Sequence, residues 1–128
     1  VSAPLASLAR SSGVHMAFAF LAMGGWAVFA NRTHPMPSPV LAGLVQGLLS
    51  ALITLFLKRN VERLVARFAG ISGLALPPLF ACLTSLVLLT SIHTLAGTPE
   101  IPATIALPLT VATSYAALYT YTLWRVRA

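Results

Sequence analysis

The chain has 128 residues, 58% of them hydrophobic and only 8% charged, with a net charge of +6. A soluble domain carries roughly 25% charged residues, so this composition excludes a fold that faces water on all sides. The basic residues also lack the interleaved aromatics of a nucleic-acid surface, so no nucleic-acid partner is expected.

In chain order, the first ten residues, VSAPLASLAR, have no basic segment ahead of an apolar run, so a cleaved signal peptide is not expected. The first predicted span covers residues 14–30, which is short for a bilayer that needs about 20 residues, and residues 11–13 are expected to help it cross. A Pro-rich hairpin, NRTHPMPS, leads to a second span over residues 39–57. Residues 58–70 form a basic loop. There Val61, Leu64, Val65 and Phe68 recur at helical spacing, with Arg59, Glu62, Arg63 and Arg67 elsewhere. That pattern fits a short amphipathic helix on the membrane surface, or a continuation of the second span beyond the bilayer. The third span covers residues 71–95 and the fourth residues 101–124, joined by the short turn AGTPE. Pro77, Pro78 and Pro108 each remove a backbone donor, and kinks are expected there. The fold class is therefore an all-α integral membrane protein, with residues 1–128 as a single membrane domain of two hairpins.

Orientation follows from the basic residues. Arg10, Lys58, Arg59, Arg63, Arg67, Arg125 and Arg127 fall on one side, and Arg32 alone on the other. By the positive-inside rule the first side is cytoplasmic, with both termini there. The Ala/Leu/Arg-heavy composition suggests a bacterial inner membrane. Tyr119, Tyr121 and Trp124 fit an aromatic belt at that interface.

The halves also resemble each other. ALITLFLKR (residues 51–59) overlies ALYTYTLWR (residues 117–125) at an offset of 66, with Ala, Leu, Thr, Leu and Arg coinciding. Each half holds two spans, so the repeat would be parallel, about an axis along the membrane normal.

Four spans in paired hairpins, Gly24-Gly25 in the first, and the Lys58-Arg59 and Trp124-Arg125 ends of the second and fourth, resemble the GtrA-like family of small membrane proteins. Where that family often carries Asn-Phe, this chain has Thr54-Leu-Phe-Leu-Lys-Arg and Thr120-Tyr-Thr-Leu-Trp-Arg. The resemblance implies a protein that binds or translocates a polyprenyl-phosphate-linked sugar or another anionic lipid, and that is not an enzyme. The alternative is a non-catalytic accessory subunit of a larger membrane complex.

The candidate site residues fall into three groups. Lys58, Arg59 and Arg125 form a basic rim that could hold a lipid phosphate through charge-assisted hydrogen bonds. Their alternative role is ordinary anchoring among anionic lipids. Gly43, Gln46, Gly47 and Ser50 form a small-residue stripe with a central amide. Such a stripe suits close helix packing within the chain or between copies, or a groove lined by Gln46. Thr113 and Ser114 lie deep in the fourth span and are expected to face other helices. On the external face, Asn31, Arg32, His34, His93 and Glu100 could cluster, and His34, His93 and Glu100 could form a metal site or remain solvated loop residues. His15 and His93 are the ionisable groups nearest the span interiors. Glu62 and Glu100 fall on opposite sides, which rules out a paired-carboxylate centre. The single cysteine, Cys82, gives no disulfide. No metal or cofactor is expected; the expected partners are membrane lipids, a polyprenyl phosphate among them, and a second copy or another membrane protein.

Overall fold

The computed structural model describes residues 12–127, and these form four helices. They are α1 (Ser12–Ala30), α2 (Ser38–Arg67), α3 (Gly70–Ala96) and α4 (Ile101–Arg127). All four are long and apolar enough to cross a membrane. The protein is an all-α, multi-pass membrane bundle. Arg10 and Ser11 lie outside the described residues.

Local sequence sets the helix ends. Pro39 sits in the first turn of α2, where its missing N–H costs nothing. Gly97 ends α3 with φ +75°, a conformation open to glycine without a Cβ penalty. This turn makes the N–H of Thr98 donate to the carbonyl of His93 and that of Gly97 to Thr94, the paired bonds of a Schellman ending. Pro77 and Pro78 lie inside α3 and Pro108 inside α4, and both helices continue through them.

The basic segment does not leave the helix. α2 runs 30 residues without a break to Arg67, about 45 Å, so residues 58–67 extend the second span. The segment stays helical because Val61 and Val65 are buried in the apolar core with Ile53, Leu57 and Ala116. Only Phe68 and Ala69, both extended, separate α2 from α3.

α2 is the centre of the bundle and packs against all three other helices. α1 touches α2 and α4 but not α3 among the described residues. The two hairpins, α1–α2 and α3–α4, meet through contacts of α2 with α3 and α4 and of α1 with α4. At the hairpin end, His34 contacts Glu100, a separation of 66 residues, equal to the sequence offset between the halves.

Small residues set the closeness of α1 and α2. A Cβ added at Gly24 would lie 2.8 Å from the carbonyl oxygen of Gly43. One at Gly47 would lie 2.9 Å from the carbonyl oxygen of Phe20. The Gly43/Gly47 stripe is therefore spent on packing within the chain.

Candidate functional site

The bundle has two unlike ends. At the hairpin end, buried polar side chains tie the helices together. Asn31, fully buried just past α1, donates to the carbonyl of Ala27 and to the Thr104 hydroxyl, 2.8 and 2.7 Å away. Its amide oxygen accepts from the N–H of Glu100 at 3.0 Å. Glu100 pairs with His34 at 2.8 Å. The Trp26 indole donates to the Ala103 carbonyl at 2.9 Å.

A second chain of bonds lies alongside. His93 and Gln46 are fully buried. The Nε2 of His93 lies 2.8 Å from Oε1 of Gln46, and its Nδ1 lies 2.7 Å from the Thr98 hydroxyl. The Gln46 amide in turn donates to Ser50 Oγ at 2.8 Å. The Gly97 turn brings Thr98 back over His93, and the α2–α3 contact supplies Gln46. Side chains with apolar neighbours on every side satisfy one another here, as burial demands.

Toward the basic end the interior opens. A cavity of about 510 Å³ lies between α1, α2 and α4. Its walls include Phe18, Met23, Ile53, Leu57, Leu89 and Val111, so it is chiefly apolar. Pro108 also lines it. Four polar residues of α2 border it at a spacing of four: Gln46, Ser50, Thr54 and Lys58. Residues four apart lie one above another on a helix, so they form one stripe about 18 Å long. Thr54 Oγ1 donates to the Ser50 carbonyl. His15 and Tyr115 complete the basic end of the cavity.

Lys58 has no ion-pair partner among the described residues. Glu62, the acid one turn away, accepts a 2.5 Å hydrogen bond from Tyr119, and the Tyr119 ring stacks on Tyr115 at 5.7 Å. Among the described residues, His34–Glu100 is the one ion pair.

The sequence-derived groups are thus redistributed. Of Lys58, Arg59 and Arg125, only Lys58 borders the cavity; Arg59 and Arg125 are exposed. Arg59 is one residue on, and 100° of helical rotation carries it off that face. Gly43, Gln46, Gly47 and Ser50 are all buried. Thr113 is half-buried and its hydroxyl has no partner, but Ser114 is exposed, rotated away from the interface it was expected to join. Asn31, His34 and Glu100 do come together. Arg32 does not join them: its guanidinium lies 3.9 Å above the Phe29 ring and bonds the Phe29 carbonyl. His93 does not join them either, because its ring nitrogens are taken by Gln46 and Thr98. The metal site imagined from His34, His93 and Glu100 is therefore not assembled, and no cluster able to hold a metal occurs among the described residues. Trp124 lies at the basic end, donating to the Gly70 carbonyl at 2.8 Å, with Tyr121 beside it.

Two parts of the site escaped the sequence reading. Thr54 and Tyr115 were not singled out, although the four-residue spacing of Gln46, Ser50, Thr54 and Lys58 is visible in the sequence. The cavity itself has no sequence signal. No protein-family model matches the chain, nor does any curated protein or solved structure.

Proposed function

We propose that this protein binds an anionic lipid, with the hydrocarbon chain in the cavity and the phosphate at Lys58. The reading rests on one observation: a chiefly apolar cavity of about 510 Å³ that meets, at one end, a half-buried lysine with no ion-pair partner among the described residues. An apolar pocket with a few placed polar groups is the usual form of a small-molecule site. A phosphate there gains a charge-assisted bond in surroundings of low dielectric. A polyprenyl phosphate, sugar-linked or free, has the required chemistry, in line with the resemblance to GtrA-like proteins. The basic end would face the cytoplasm of a bacterial inner membrane, where positive-inside bias puts it. The protein would hold or move its lipid without transforming it chemically.

The accessory-subunit alternative draws no support from the Gly43/Gly47 stripe, which is packed against α1. The test is native mass spectrometry of the full chain in mild detergent, titrated with farnesyl phosphate. Lys58→Ala should weaken binding about tenfold, the value of one hydrogen bond to a charged group, whereas Arg125→Ala should leave it within about twofold. Equal binding by wild type and Lys58→Ala would sink the reading.

A further inference from the structure

The cavity is walled unevenly. Its back is buried: Gln46, Ile53 and Leu57 of α2, Leu89 of α3 and Pro108 of α4. The exposed members of its lining belong to the other two faces, among them Phe18 of α1 (72% exposed) and Val111 (45%) and Tyr115 (36%) of α4. No lining residue from α2 or α3 is exposed to that degree. The cavity is therefore a cleft, closed behind by α2 and α3 and open in front between α1 and α4.

The ties between α1 and α4 lie at the hairpin end, where Trp26 donates to the Ala103 carbonyl and Asn31 to the Thr104 hydroxyl. Nearer the basic end the cavity lies between the two helices instead. Both helices are long and apolar enough to cross a membrane, so a side opening between them faces lipid tails. Entry from the aqueous end would draw every tail methylene through water, and each one exposed is unfavourable. A side opening lets the tail exchange one hydrocarbon surrounding for another, at little cost.

We propose that the lipid enters this cleft sideways from the bilayer, that its tail runs out again past Phe18 and Val111, and that the ligand class therefore includes chains far longer than the cavity. The inference rests on the lipid-binding reading above and adds to it the route of the tail and the lack of an upper length limit. Lys58 holds the head at the basic end, the buried back wall holds the first part of the chain, and the remainder stays among the bilayer tails.

Two measurements test this on the full chain in phosphatidylcholine nanodiscs carrying farnesyl phosphate or the much longer solanesyl phosphate at equal mole fraction. Native mass spectrometry should find the two bound within about twofold of each other, because tail carbons beyond the cleft stay in hydrocarbon whether bound or free. Photoreactive benzoylphenylalanine then replaces either Phe18, on the rim, or Phe80, an exposed aromatic of α3 outside the cavity. Under ultraviolet light the rim position should capture solanesyl phosphate well above its share of the nanodisc lipid, and the α3 position only at that share. Adding Lys58→Ala should bring the rim capture down toward the same share, a loss that an apolar surface in random contact with lipid would not show.

Binding of farnesyl phosphate with exclusion of solanesyl phosphate makes the cavity a closed pocket; it overturns the sideways route and leaves the lipid-binding reading standing. Equal capture at the two positions, with Lys58-dependent binding intact, does the same. Loss of Lys58-dependent binding for both lipids overturns both.

Discussion

The hairpin end and the basic end of this bundle are built on opposite rules. At the hairpin end, four helices are joined by polar side chains that find partners in other helices or turns: Asn31 with Thr104 and Glu100, His93 with Gln46, Trp26 with Ala103. At the basic end such ties are fewer, Tyr119 to Glu62 and Trp124 to Gly70, and both are exposed. Cations gather there without carboxylate partners among the described residues, and one of them, Lys58, borders an apolar hollow. The contrast teaches where stability and where binding reside. A hydrogen bond formed away from water holds structure, because breaking it strands a polar group. A cation left unpaired is available to something that is not part of the chain.

That division can be broken by substitution, with unfolding in detergent followed by circular dichroism. The largest effect should come from Gly43→Leu. Its Cβ alone would stand 2.5 Å from a methyl of Val28 and 3.0 Å from the Gly24 carbonyl. Forcing the helices apart should cost about 3 kcal/mol, and an unchanged melting temperature would show that α1 does not need this closeness. Next comes Asn31→Ala, which removes the acceptor of the Glu100 N–H and leaves the buried Thr104 hydroxyl only its bond to the Glu100 carbonyl, and should cost about 2 kcal/mol. His34→Ala breaks a partly exposed pair and should cost less than about 1 kcal/mol. Smallest of all, Tyr119→Phe and Lys58→Ala at the basic end should each stay within about 0.5 kcal/mol, although Lys58→Ala should weaken lipid binding about tenfold. If the Lys58 variant melted as early as the Asn31 variant, the separation of roles between the two ends would fail.

Much of this fold is legible in the sequence, for a physical reason. Span existence depends on apolar length alone, and four runs announce themselves by composition. Close packing through Gly43 and Gly47 is legible too, since only small residues permit it. The fate of residues 58–67 is not. Their pattern fits a surface helix or a continuation of the second span equally, and Val61 and Val65 packing into the core shows why α2 continues. The site is the least legible part. His93 sits three residues from the end of α3 and reads as a surface group; its burial depends on Gln46, 47 residues away, and on a turn at Gly97 that folds Thr98 over the ring. Local periodicity carries no trace of a partner on another helix. The Lys58–Gln46 stripe is the exception, because its members share one helix and their alignment follows from spacing alone.

The meeting of His34 with Glu100 has a consequence for how such a chain comes to exist. If the halves are related by the rotation that their sequence likeness suggests, residues 34 and 100 are equivalent positions, and two equivalent positions can touch only near the axis of that rotation. Were the halves identical, as in a dimer of two-helix chains, the same spot would set imidazole against imidazole or acid against acid. Joining the halves in one polypeptide lets each side diverge independently. An attraction between unlike groups then becomes attainable where strict symmetry permits only like facing like.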